Sequence, residues 1–192
     1  MTVALVVFLA AAVIPIFFGK LGSAPWWLAL QAAALGAAGV AHRGEPGLHE
    51  WAALAEVLLL RGLVAPRWLK QAIARRGEAQ LDLMPSNLFA WAIAIALLVL
   101  AFEFGAPPLG EQQALTLGTV AATVAVALLL LAANGAAPAQ LVAVLLMENA
   151  LALFELLLPA PWPLPVHAAL STVFVLTVGV GSRLIAQEGA AQ

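Results

Sequence analysis

The sequence predicts an all-α protein: a polytopic membrane bundle of about seven transmembrane helices, with the N-terminus outside and the C-terminus in the cytoplasm. Three observations carry this. Hydrophobic residues make up 64% of the 192 residues and charged ones 9%, too apolar a composition to cover a water-facing surface. The apolar residues fall into seven runs, each near the ~17–25 residues that cross a hydrocarbon core. Lysine and arginine are shared unevenly between alternate connections, which sets an orientation.

The runs lie at 2–19, 25–41, 49–69, 86–105, 112–133, 138–158 and 164–185, and the breaks between them are rich in glycine, proline and charge. No Lys or Arg precedes the first run. The basic n-region of a cleaved signal is therefore missing, and this run is expected to be retained. The second is alanine- and glycine-rich with Gln31 as its polar residue, a composition for close helix packing. The third holds Glu56 and Arg61 and continues past Pro66 into Arg67-Trp-Leu-Lys70, where a proline-induced kink is expected. The fourth is apolar up to Glu103, read as a solvated end charge. The fifth carries Thr116, Thr119 and Thr123 on one face, as packing hydroxyls or as the lining of a wet path. The sixth holds Glu148 and Glu155, and the seventh His167, Ser171, Thr172 and Thr177. Three segments organise the chain: 1–76 with three helices, 77–110 with a cytoplasmic loop and the fourth helix, and 111–192 with the last three.

Lys20, Arg67, Lys70, Arg75, Arg76 and Arg183 fall in the connections after runs one and three and at the end of run seven. The opposite connections hold Arg43 alone, which places the first set in the cytoplasm. Trp26, Trp27 and Trp68 then fall at the inner boundary and Trp51 and Trp162 at the outer one, as an aromatic belt, with Trp91 deeper and used for packing. The absence of cysteine and the three scattered histidines exclude an iron–sulfur subunit, a disulfide scaffold and an ordinary zinc site. No catalytic residue, cofactor or metal is expected in this chain, and no basic patch points to nucleic acid.

The chemistry lies in the charges inside the runs. Glu148 stands ten residues from Pro138, about 15 Å along a helix, at the midplane of a core about 30 Å thick. An acid there costs roughly 2.5–3.5 kcal/mol, which marks it as functional by default. Glu155 is seven residues on, nearly in line and about 10 Å away, with the small Ala152 between. That separation suits a short chain of waters. His167 is expected at the depth of Glu155, where imidazole and carboxyl form an outer proton exit or a rim pair. Arg61 is five residues from Glu56, a rotation of about 140° on an α-helix, so the two do not share a face and each is expected to find its partner on another helix. Glu148, Glu155, His167 and Glu56 are the proton-relay candidates, and Arg61 the charge that tunes them.

Leu145-Leu-Met-Glu-Asn-Ala-Leu-Ala-Leu-Phe154 resembles the glutamate-bearing middle helix of complex I subunit K, and the last three runs match that three-helix subunit in topology. The whole chain resembles the hydrogenase-4 component E family, in which further helices precede such a unit. Arg61-Gly-Leu-Val-Ala-Pro66-Arg-Trp-Leu-Lys70 with Arg75-Arg76 corresponds to that family's third-span pattern, and Pro85 and Asn87 echo the opening of its next span. Family members carry lysine where this chain has Arg61, which stays charged. The second buried glutamate of subunit K has no counterpart between Pro163 and Gln187.

The resemblance implies a membrane-arm subunit of a complex I-like, hydrogenase-4-type oxidoreductase in the bacterial inner membrane. It would sit among antiporter-like and other membrane subunits and contribute to proton translocation without catalysing the redox step itself. A structural spacer with its acids locked in ion pairs is the rival of another class. A stand-alone transporter is a second rival, although no inverted halves around a broken helix can be found. A quinone-linked or inorganic-carbon-uptake complex is the remaining alternative for the parent assembly.

Overall fold

A computed structural model describes residues 1–43, 47–84, 88–103, 110–158 and 162–190, with side chains except at 43, 48–50 and 188–190. Parts of three expected breaks (44–46, 105–109 and 159–161), the side chain of Arg43 and the Pro85/Asn87 pair lie outside the described residues. The described chain is helical and contains no strand. Its helices are α1 (Thr2–Phe18), α2 (Ala24–Arg43), α3 (Leu48–Glu56), α4 (Ala65–Arg76), α5 (Leu88–Glu103), α6 (Glu111–Ala133), α7 (Ala137–Phe154) and α8 (Leu164–Ala190). A π-helical stretch, Val57–Val64, joins α3 and α4 without a break into one continuous rod, 48–76, the third in chain order, and α7 runs on into a 3-10 turn at Glu155–Leu157.

Each apolar run is therefore represented by helix. By length and composition four helical stretches can cross a bilayer: Leu21–His42, Glu111–Ala133, Ala137–Leu157 and Leu164–Gln187. Thr2–Phe18 and Leu88–Glu103 are shorter apolar helices. The protein is thus an all-α bundle with several membrane-spanning helices, a multi-pass arrangement.

Local chemistry sets several of the boundaries. Pro138 lies in the first turn of α7 and Pro66 in that of α4, where a missing N–H costs least. Gly77 follows α4 with φ +73°, the left-handed conformation that ends helices and that glycine adopts freely. Upstream of Pro66 the backbone takes the wider π-helical winding, and the Ala65 N–H donates to the Leu60 carbonyl five residues back. A proline cannot donate to the preceding turn, so its carbonyls are free to be bridged in this wider register. Pro66 is accommodated by that stretch of π-helix.

Helices from 1–76 hold the last three. α1 packs on α6, α2 on α7, and α4 along α8. Two apolar clusters form the core. One contains Leu28, Leu69, Ile73, Leu130, Leu145 and Leu146; the other contains Leu5, Phe8, Leu35, Val57, Ala150 and Leu153. The seam between them runs through Gln31 on α2, Arg61 in the π stretch and Asn149 on α7, all buried.

The connections after α1, α4 and α6 meet at one end. The Leu21 N–H donates to the Leu81 carbonyl at 2.8 Å and the Gly22 N–H to that of Ala79 at 3.0 Å. Asn134 Nδ2 donates to the Leu83 carbonyl at 2.7 Å. Alternate connections meet this way in an up-and-down bundle. The exposed Lys20–Asp82 pair at the same end, 3.3 Å apart, adds little stability.

The threonines of α6 serve packing. Thr116, Thr119 and Thr123 are buried, and each hydroxyl donates to the backbone carbonyl four residues back at 2.8–2.9 Å. With its hydroxyls donating to its own backbone and all three residues buried, this face of α6 fits the packing role. Glu103 is exposed, as a solvated end charge should be. Trp91 packs against Phe17 and Phe18 with ring centroids 4.3 and 5.2 Å away.

Gly118 lets α5 and α6 approach, because a Cβ there would meet the Phe102 ring. Gly39 has open space at the same test. Gly118→Val is expected to destabilise the detergent-solubilised protein by about 1–3 kcal/mol through overpacking. Gly39→Ala should be neutral or raise the thermal midpoint slightly. Equal midpoints for Gly118→Val and the unmodified chain would contradict the packing assigned to α5 and α6.

Candidate functional site

Arg61 is 6% exposed in an apolar bundle, and its surroundings account for that burial. Its Nε lies 3.5 Å from Glu56 Oε1, its Nη1 donates to Asn149 Oδ1 at 3.1 Å, and the guanidinium sits 4.3 Å above the Phe174 ring. Asn149 Nδ2 in turn donates to Gln31 Oε1 at 2.9 Å. The chain Glu56–Arg61–Asn149–Gln31 thus ties α3, the π stretch, α7 and α2 together, and Phe174 adds α8.

The Glu56–Arg61 pair corrects a sequence-based expectation. On an α-helix residues five apart diverge by about 140°, so each was expected to seek another helix. The π-helix closes each hydrogen bond over five residues, and residues five apart therefore return to nearly the same face. Arg61 consequently pairs within its own rod and still reaches α7 and α8.

Beside this network lies a cavity of about 90 Å³ between α2, the third rod, α7 and α8. Glu56, Arg61, Glu148, Glu155 and His167 all line it, so the five charge-bearing candidates taken from three separate runs converge on one space. Its volume has room for a few waters. Ala152 forms part of the wall between Glu148 and Glu155, as does Ser171 of α8.

The groups are graded along the cavity. Glu148, on the last third of α7, is half-buried, with the Thr177 hydroxyl of α8 in hydrogen-bonding reach and Arg61 as its nearest opposing charge. Immediately after the end of α7, Glu155 is 6% exposed. Its Oε2 lies 3.5 Å from His167 Nε2, and its Oε1 accepts the Trp162 backbone N–H at 3.2 Å. Imidazole and carboxyl are thus neighbours in the cavity wall. Arg61 carries a permanent charge and cannot relay. Its place between Glu56 and Glu148 makes it an electrostatic anchor for both. Among the described residues no group of three His, Asp or Glu side chains is disposed to hold a metal ion.

Gln31 and Asn149 are the participants that sequence reasoning assigned no role. Their signal was faint: one amide in an alanine-rich run, and one beside the conspicuous Glu148. An amide in an apolar helix needs a partner, but the partner's identity is not written nearby. Gln31 and Asn149 are 118 residues apart, and Asn149 and Arg61 are 88 apart.

No family model, curated protein or solved structure matches this chain.

A double-mutant cycle on Arg61 and Glu56 tests the network. Arg61→Gln leaves Glu56 without its cation and is expected to cost about 3–5 kcal/mol. Adding Glu56→Gln should cost less than the sum of the single changes, with a coupling of about 0.5–3 kcal/mol, read from unfolding free energies in detergent. Strict additivity would show that the pair does not form.

Proposed function

We propose that the chain is a proton-conducting membrane-arm subunit of a complex I-like, hydrogenase-4-type oxidoreductase, and that the cavity between α2, the third rod, α7 and α8 is its proton site. One observation supports this above all: three carboxyls, an imidazole and an arginine from four elements share a single small cavity inside an apolar bundle. Membrane helices exclude ionisable groups unless those groups work, and this set has the members a relay needs. Glu148 is the central proton acceptor, Glu155 with His167 the outer exit, and Glu56 an auxiliary carboxyl. Arg61 holds Glu56 and biases Glu148.

In this reading the seven helical runs cross the inner membrane of a bacterium with the N-terminus outside and the C-terminus in the cytoplasm. The end where Lys20 and the connection after Arg75-Arg76 gather is the basic one, and basic connections stay inside. Partners are antiporter-like and other membrane subunits. That partnership rests on the resemblance of 61–76 and 145–154 to hydrogenase-4 component E and complex I subunit K. A quinone-linked or inorganic-carbon-uptake complex would use the same cavity with a different redox partner.

A second reading, a spacer subunit, is favoured by the contacts of Arg61 with Glu56, Asn149 and Phe174. It makes the charges structural, Glu148 included, so that its loss impairs assembly rather than transport.

Glu148→Gln separates the two. In the assembled complex, with proton uptake and electron transfer followed together in membrane vesicles, the relay predicts that pumping falls at least tenfold while the complex still assembles. Unchanged pumping removes the relay. Failed assembly with normal pumping in the residual complex supports the spacer.

A further inference from the structure

We propose that the groove between α4 and α8 binds the headgroup of an anionic phospholipid. The proposal depends on the multi-pass membrane disposition and is independent of the proton relay. The groove has a volume of about 780 Å³ and runs from Leu176, past Trp68 and Gly179, to Arg75, Ser182 and Arg183. Trp68 and Arg75 are seven residues apart on one face of α4, as are Leu176 and Arg183 on α8. The two helices thus set out the same gradient side by side: apolar wall, aromatic ring, paired guanidiniums. Trp68 seats against Gly179, where an added Cβ would come to 3.3 Å from the ring.

That gradient matches a phospholipid entering from the bilayer, with an acyl chain along Leu176, the glycerol region at the indole and the phosphate at the arginines. Arg75 and Arg183 are both exposed, and neither has an acidic partner among the described residues. Two arginines lining one groove, with no counter-charge among the described residues, give it a positive field that favours an anion there. A basic pocket between helices on the cytoplasmic side is where anionic lipid headgroups bind.

Ser182 supplies an independent sign. It is 9% exposed, and its hydroxyl has no hydrogen-bond partner among the described residues. Thr116, Thr119, Thr123 and Thr172 all satisfy theirs on the carbonyl four residues back. A buried hydroxyl that forgoes this bond costs stability unless something else accepts its proton. Ser182 lies in the groove wall next to Arg183, where a phosphate or ester oxygen would accept it. α8 has the free surface to host a lipid, since 11% of its apolar stretch is buried against 50% in α2 and α6 and 56% in α7.

The test is native mass spectrometry of the full chain in detergent, titrated separately with phosphatidylglycerol, phosphatidylcholine and inorganic phosphate. The expected result is one retained phosphatidylglycerol per chain, at least tenfold weaker retention of phosphatidylcholine, and no displacement by millimolar phosphate. Arg75→Gln and Arg183→Gln should each weaken retention roughly fivefold. Both side chains are exposed and have no acidic partner among the described residues, so these variants should keep the unmodified circular-dichroism spectrum. Lys20→Gln, basic and at the same end but outside the groove, should bind as the unmodified chain does. Equal retention of the two lipids, unchanged binding in Arg75→Gln with Arg183→Gln, or an equal loss in Lys20→Gln would overturn the proposal. Displacement by phosphate would replace it with a simple anion site.

Discussion

A guanidinium in the middle of an apolar bundle has to be neutralised where it sits, because it cannot shed its proton and the hydrocarbon around it offers no solvation. Around Arg61 that demand is met from three directions: the carboxylate of Glu56 on its own rod, the amide oxygen of Asn149 on α7, and the face of Phe174 on α8. Each contact belongs to a different element, so the charge acts as a rivet. Withdrawing any one of the helices would leave it short of a partner, and a buried polar network is stable only when its members are satisfied together.

The position of that rivet follows from the backbone beneath it. Pro66 removes a donor from the rod, and the preceding turns widen to π geometry over Val57–Val64. The widening turns Glu56 and Arg61 toward each other. π-helical stretches are uncommon and concentrate at functional sites, and here the irregularity has a definite product: an ion pair within one rod that leaves two guanidinium edges for other helices. The polar layer also divides the core. Leu28 and Leu35 flank Gln31 on α2, Leu146 and Leu153 flank Asn149 on α7, and the apolar clusters on the two sides are separate. The cavity opens on the side of this layer where Glu148, Glu155 and His167 gather.

Permanent and titratable charges therefore have separate tasks. Arg61 is immobilised by three partners and fixes the local field. Glu148, by contrast, is half-buried beside Thr177 with the cavity in front of it, and Glu155 and His167 face each other at 3.5 Å. A fixed cation near a half-buried carboxyl offsets part of the cost of ionising that carboxyl among apolar side chains. On the outer face of the bundle the division differs. α8 turns most of its apolar length away from the other helices, and its basic end meets that of α4 across the groove.

The helices, and the place of Glu148 well inside one of them, were legible in the one-dimensional chain. Apolar run length is compared directly with bilayer thickness, and rise per residue converts a count from Pro138 into a depth for Glu148. The meeting of Glu155 and His167 was also within reach, since both lie next to the same connection. Residue spacing alone misjudged Glu56 and Arg61, because it presumes 3.6 residues per turn and the hydrogen-bond register of Val57–Val64 depends on how the rod packs and ends. Gln31 and Asn149 were visible as isolated amides, but only the tertiary structure joined them to Arg61. Their partners are about a hundred positions away, and what brings them together is the shared need of buried polar groups for one another when three apolar helices close around them.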